Sequence, residues 1–313
     1  MGAALTVVRS PEVARGLAYM PGLMRNWLEK RWLERLEEAS GHCIDAIWLF
    51  ENSRFFDMRF AGSRLCIYQQ VDLNQDFNPK IAAATADLAI AISEPIEKRI
   101  KPSAQHYLRL THGVATGHES SIPDASLDEQ FSPGMRHAVL VGNLDIPYLD
   151  LKLLEHLVRD HPEVRFHFVG SYNESGDLFR AVGHADNVVW WGRQKSEALP
   201  SILRRADLLL VTYLTDRHRE QLANPHKLME YLASGTPILA SFTEEYDDRP
   251  ELVAMAENAA EFRRKFSRLI FNDQMLSDPG GIKKRQDYAA DNTYSRQLDR
   301  IAQALGPRGK LIS

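Results

Sequence analysis

The chain has 313 residues, of which 44% are hydrophobic and 26% charged, enough for two globular domains of about 150 residues each. A formal net charge of −4 excludes the basic footprint of a nucleic-acid binder, and no apolar run reaches the 18 or so residues of a membrane span. The N-terminus lacks the basic and apolar regions of a signal peptide, and the two cysteines, Cys43 and Cys66, lie in apolar runs where small buried thiols are expected, so a reducing, cytoplasmic setting is the expectation.

Leu5 to Val8 reads as a short strand. From Leu23 to Ala39, Met24, Leu28, Trp32 and Leu36 recur at i, i+4 spacing, which predicts an amphipathic helix buried on that stripe. Ile44–Phe50, Leu65–Gln69, Leu88–Ile92 and His106–Leu110 are continuous apolar or β-branched runs separated by helix-compatible segments, the pattern of strands buried on both faces. Between Thr111 and Arg136 the glycines, serines and prolines predict a loop and a domain boundary. The expected division is a first domain over 1–114, a linker over 115–136, a second domain over 137–285 and a closing helix within 286–313.

The second half alternates more cleanly. Strands are expected at His137–Val141, Val164–Val169, Asn187–Trp191, Leu208–Thr212 and Pro237–Ser241, with helices at Leu149–Arg159, Asp177–Val182, Ser196–Arg204 and from Pro225 between them. That order predicts an α/β fold with a parallel sheet and right-handed crossovers. Three strands end in glycine, at Gly142, Gly170 and Gly192, where a ligand can approach backbone outside the carboxyl ends of the strands. Beyond Asp247 only helices are expected, among them Phe262–Phe271 and Thr293–Leu305.

The segment Asn224 to Ser241, NPHKLMEYLASGTPILAS, carries the clearest chemical signal. Asn224 suits an N-cap, Pro225 the first helical position, and Gly235 with Pro237 the helix end. His226 and Lys227 then place positive charge where the helix dipole is already positive, at a cost of a few tenths of a kcal/mol each. Nothing in the local sequence compensates, so an anion at that terminus would offset the cost. Glu230, one turn on, is placed to accept two ribose hydroxyls. The plainer alternative is a buried helix with a solvated polar edge.

These residues together resemble the GT-B glycosyltransferases, in particular family four, or group 1, whose members build bacterial polysaccharides. The blocks VGNL, DLKLLEHL, FHFVGS, NVVWWG, ALPSILRRADLLLVTY and NPHKLMEYLASGTPI follow one another as in that family's donor domain, and IYQQVD, ADLAIAISEPIEKRI and THGV resemble its acceptor-domain segments. The resemblance implies two Rossmann-like domains with parallel sheets facing across a cleft, the first of them shortened. It implies a nucleotide-sugar donor used as substrate, no cofactor, and a saccharide or lipid-linked acceptor. It also assigns Glu230 to the donor ribose, Lys227 to the diphosphate, and Gly142 and Gly192 to loops near phosphate and base. Two positions depart from the pattern: the upstream Glu of the family's paired-Glu motif falls at Leu222, and no Arg/Lys pair follows Gly142, so Arg193 or His226 stands in.

Sugar transfer needs a group to take the acceptor's proton and positive charge to stabilise the leaving diphosphate. Glu51, Asp72 and His112 are the proton-acceptor candidates, with Asp72 preferred, and Lys227 supplies the charge. With no Asp-x-Asp and no histidine pair at ligand spacing, a metal-independent enzyme is expected. Rival readings are a nucleotide-sugar epimerase and a non-catalytic partner of an assembly system. A peripheral membrane contact is expected, if anywhere, on Glu261–Phe271, where Phe262, Phe266 and Ile270 share a face flanked by Arg263, Arg264, Lys265 and Arg268.

Overall fold

The computed structural model describes residues 9, 11–50, 52–115, 124–220 and 222–312, and of 124–126 the backbone alone. The expected strand at Leu5–Val8 and the proton-acceptor candidate Glu51 lie outside the described residues. The chain forms two compact units, Met1–Thr111 with Gln297–Ser313, and His112–Arg296.

The first unit opens with α1 (Gly22–Ser40) and then builds a sheet from β1 (Ala46–Leu49), β2 (Leu65–Gln70), β3 (Leu88–Ala91) and β4 (Tyr107–Arg109), parallel throughout and in sequence order. Helices α2 (Pro79–Thr85) and α3 (Glu94–Ile100) supply the crossovers. Alternation along β2 sorts the side chains: Cys66 and Tyr68 join one cluster with Ala82, Ile96 and Ile100, whereas Leu65 and Ile67 join another with Ile90 and Ile301. Both faces are therefore covered, which is why these strands read as continuous apolar runs. Arg308 adds an ion pair to Asp87 beside that second cluster.

Helix α1 departs from its expected stripe. Its buried residues are Arg25, Glu29 and Leu33, one position on from the apolar series, and Met24 is 53% exposed. Arg25 can be inside because it pairs with Asp57 at 2.6 Å and lies over the Phe56 ring at 4.5 Å. Glu29 is fully buried 3.7 Å from Arg25, and burial pushes its carboxyl up to about 7. Hydrophobic periodicity counts apolar residues alone and cannot register a buried ion pair. Cys43 is also corrected: it is exposed, whereas Cys66 is buried and its thiol is pushed up to about 11 by burial.

The second unit begins with α4 (Asp124–Gln130), a helix where a loop was expected, because Leu127 and the following Phe131 are drawn into the core. It continues through β5 (Arg136–Val141), α5 (Leu151–Asp160), β6 (Val164–Val169), α6 (Asp177–Val182), β7 (Val188–Gly192), α7 (Leu199–Arg205), β8 (Leu208–Val211), α8 (Thr215–His218), α9 (Lys227–Ser234) and β9 (Ile238–Ser241). After these come β10 (Ala254–Ala256), α10 (Ala259–Ile270), α11 (Asp273–Leu276), α12 (Pro279–Asp291) and α13 (Tyr294–Leu305), the last passing into the first unit at Gln297. Strand β10 corrects the expectation of helices alone beyond Asp247: three residues without a pattern become a strand by pairing in parallel with Leu239–Ser241 at the sheet edge.

The sheet order is β10-β9-β8-β5-β6-β7, all parallel. The chain winds outward from β5 to β7, then returns to the other side of β5 with β8, so the strand order reverses between β5 and β8. In such doubly wound sheets, that switch point opens the crevice in which ligands bind. At the other end of the sheet a buried polar chain has a single direction. The Trp191 indole donates to His167 Nδ1, so His167 Nε2–H must donate to His137 Nδ1 and His137 Nε2–H to the Ser132 carbonyl. Phe131 stacks on His167 at 4.2 Å. Burial, followed by the neighbouring His137, holds His167 down to about 3.

Helix α10 is core. Phe262, Phe266 and Ile270 are 1%, 0% and 0% exposed, Arg263 pairs with Asp160 and Lys265 with Glu261, so the face expected to meet a membrane faces its own domain.

Candidate functional site

Strands β5 and β8 pair only at Ala138–Leu208 and Val139–Leu209, then part. Helix α9 closes the gap from behind. The Tyr231 hydroxyl accepts from Val141 N at 2.8 Å and donates to Leu210 O at 3.3 Å, bridging the parted strands with its ring fully buried. One turn earlier, Lys227 Nζ donates to Val141 O and lies 5.0 Å from the centre of the Tyr213 ring, just past the end of β8. Residues i and i+4 of one helix thus hold both polar groups of the last residue of β5.

Nothing in the local sequence compensates Lys227, but partners distant in the chain do. Lys227 is 6% exposed, its ammonium has a carbonyl and an aromatic face as partners, and burial pulls it down to about 8 against the opposing charge of Glu230. The helix start is corrected. Pro225 O and His226 O accept from Leu228 N and Met229 N in tight i→i+3 turns, so the helix begins at Lys227, with His226 rather than Asn224 at the cap position and no side-chain cap. Glu230, half-buried, is in the first turn.

The glycines at the strand ends meet this group. Gly142 has φ +148, and a Cβ there would stand 2.7 Å from Lys227 Nζ. Gly170 has φ +142, and its Cβ would stand 1.7 Å from Gly142 O. Conformation disfavours a side chain at both positions, and at Gly170 the Gly142 backbone leaves no space for one. The ladder continues past the strands, with Gly142 N donating to Val169 O and Gly170 N to Gly192 O, each at 2.9 Å. The result is a bare backbone surface beside a lysine and a glutamate at the switch point.

The remaining predicted residues divide. His112 belongs to the second unit, not to a first-domain strand: its Nε2 is 3.0 Å from Asn224 O and its ring 6.1 Å from that of His226. A carbonyl only accepts, so Nε2 carries the proton and Nδ1 is an acceptor. Burial, then the neighbouring His226, lowers His112 to about 4, so it is neutral at pH 7. Burial and Lys227 lower His226 as well. Arg193, exposed after β7, has a side chain that makes no hydrogen bond or ion pair among the described residues. Asp72 lies in the first unit after β2, where Oδ1 accepts from Asn74 N at 2.8 Å, the turn-closing role open to any loop aspartate. Tyr231 and Tyr213 were not singled out by sequence. The signal for Tyr231 was its position one turn beyond Lys227.

Residues 137–272 match the model of a family described as Glycosyl transferases group 1. No curated protein sequence matches the chain. Among solved structures, sucrose-phosphate synthase from Thermosynechococcus elongatus superposes with a TM-score of 0.70 at 16% identity, over 95% of this chain and 82% of that one. HepE from Anabaena, solved with UDP and glucose, gives 0.68 at 14% identity over 95% and 84%. WaaG, a glycosyltransferase of lipopolysaccharide biosynthesis, gives 0.64 at 13% identity over 100% and 89%. The chain therefore carries the GT-B fold, and residues 137–272 of its second unit match the family Glycosyl transferases group 1.

Proposed function

We propose that this protein transfers a sugar from a nucleotide-sugar donor to a saccharide or lipid-linked acceptor, in the building of cell-surface polysaccharide, without a metal. The observation that carries the reading is the position of Lys227 at the switch point, against Gly142 and in the same helix turn as Glu230. In this reading the bare backbone at Gly142 and Gly192 admits the donor's phosphates and base. Glu230 takes the ribose hydroxyls, and Lys227 turns from Val141 O to the diphosphate as charge grows on it. The family match and the UDP complex of the Anabaena protein support a nucleotide diphosphate as the donor's leaving group. His226 supplies further polar contact. Asp72 is the proposed proton acceptor, through the Oδ2 that the turn leaves unused.

A thermal-shift screen against UDP, GDP, CMP and dTDP and their sugars tests this reading. A ligand at 100 times its dissociation constant stabilises by about 2.7 kcal/mol, and stabilisation by none of the four families would sink it. Turnover of donor without acceptor would indicate an epimerase instead. We place the proposed peripheral membrane contact on α1 rather than α10. Leu23, Met24 and Trp27 are 91%, 53% and 54% exposed, and the exposed charges that follow, Lys30, Arg31 and Arg35 with Glu34 and Glu38, are of both signs, so the contact rests on the apolar residues. Co-sedimentation with anionic vesicles that is unaffected by Leu23→Ser with Trp27→Ser refutes that placement.

A further inference from the structure

A cavity of about 330 Å³ opens at the amino end of β9, at the opposite end of the strand from the switch-point crevice. Ile238, Leu252, Leu269 and Leu276 line it with apolar surface, and helix α12 closes it with Lys284 and Arg285. Arg285 is the unusual member. It is 7% exposed, Nε donates to Gly235 O at 2.9 Å, and Nη2 is buried with no partner. Among the described residues no carboxylate is within ion-pairing distance of it. A buried guanidinium without an anion is costly, and buried charges in folded proteins are normally paired. Asp278 also lines the cavity and its charge reaches Arg285, but its oxygens cap α12, accepting from Gly280 N at 3.1 Å and Gly281 N at 2.9 Å, and it makes no ion pair with the guanidinium. Glu251 also lines the cavity but is exposed to solvent. Gly281 keeps the space between Asp278 and Arg285 open, because a Cβ there would stand 3.0 Å from Asp278 Oδ2, 3.3 Å from Arg285 Nη1 and 3.5 Å from Nη2.

We propose that this cavity is a second ligand site, independent of the donor crevice, for a small carboxylate with an apolar body: the carboxylate on Arg285 Nη2, with exposed Lys284 as a second cation, and the body against Ile238, Leu252, Leu269 and Leu276. The apolar walls favour an organic acid over a free phosphate, and the lone buried guanidinium favours an anion over a neutral apolar molecule. The site bears on α9 directly, since the guanidinium that would hold the ligand also caps that helix at Gly235 O.

The test is titration of the full chain, labelled at its methionine methyls, with hexanoate, and in parallel with hexan-1-ol and inorganic phosphate, following the Met275 methyl on the cavity wall. Hexanoate is expected to shift that resonance saturably and to bind about tenfold more tightly than either control, the factor a charge-assisted contact supplies. Arg285→Gln and, separately, the cavity-filling Leu276→Trp should each weaken hexanoate binding about tenfold, the second with Arg285 intact should the first fail to fold. No saturable shift with hexanoate, equal binding of hexan-1-ol, equal binding of phosphate, or unchanged affinity in the Leu276→Trp protein each overturns the proposal.

Discussion

Lys227 and Tyr231, one turn apart on α9, hold the same residue of the central strand: Lys227 Nζ donates to Val141 O, and the Tyr231 hydroxyl accepts from Val141 N. The second contact fixes the crevice, because the same hydroxyl reaches Leu210 O across the gap between β5 and β8. The first keeps a cation there.

Tyr231→Phe removes that bridge while keeping the ring. Val141 N then loses its partner inside the protein, so the expected cost is about 1–3 kcal/mol, the penalty of an unsatisfied buried donor. Urea unfolding should show a lower midpoint with an unchanged slope. An unchanged midpoint would mean that the hydroxyl is dispensable.

Lys227 is charged at pH 7 at the expense of stability. Its value falls from 10.5 to about 8 on folding, so the folded state binds fewer protons than the unfolded state between those values, and the full cost is present below them. Burying that charge costs roughly 3 kcal/mol, which exceeds the ~1 kcal/mol of one lost hydrogen bond. Lys227→Met should therefore melt no lower than the parent at pH 7, while losing at least tenfold in turnover. In the parent protein, UDP affinity should weaken as pH rises above about 8, and the variant should lack that dependence. A variant with lower melting temperature and unaltered turnover would make Lys227 structural.

Glu230→Ala tests the ribose contact. A carboxylate accepting two hydroxyls makes charge-assisted bonds, so nucleotide binding should weaken by about 1.5–3 kcal/mol. Urea stability should change by less than about 1 kcal/mol, because Glu230 is only half-buried. Full nucleotide affinity in the variant would remove Glu230 from the site.

The two units should respond to pH in opposite senses. Glu29, raised from 4.5 to about 7 by burial, favours the folded first unit below pH 4.5, and that contribution is lost as pH rises through 7. His167, lowered from 6.5 to about 3, favours the folded second unit above pH 6.5, and its contribution is lost as pH falls toward 3. Glu29→Gln should raise the melting temperature relative to the parent at pH 8 and leave it little changed at pH 4.5. A pH-independent difference between the two proteins would show that Glu29 does not titrate in this range.

Sequence alone determined the architecture of this protein wherever a residue's environment follows from its own neighbours. Runs such as Leu65–Tyr68 and Leu208–Val211 are apolar on both faces, and a covered parallel sheet accommodates that. The glycines at 142 and 170 also stood out as places where a backbone would come close. Tertiary structure decided what depends on partners distant in the chain. The inside of α1 is set by Asp57, 32 positions beyond Arg25, and β10 exists only through its pairing with β9. The state of Lys227 is set by Val141, 86 residues earlier. Local sequence exposes the cost of a cation at a helix start, but not the carbonyl and ring that meet it. Those arrive only when the sheet reverses its strand order and leaves the end of β5 open to the helix.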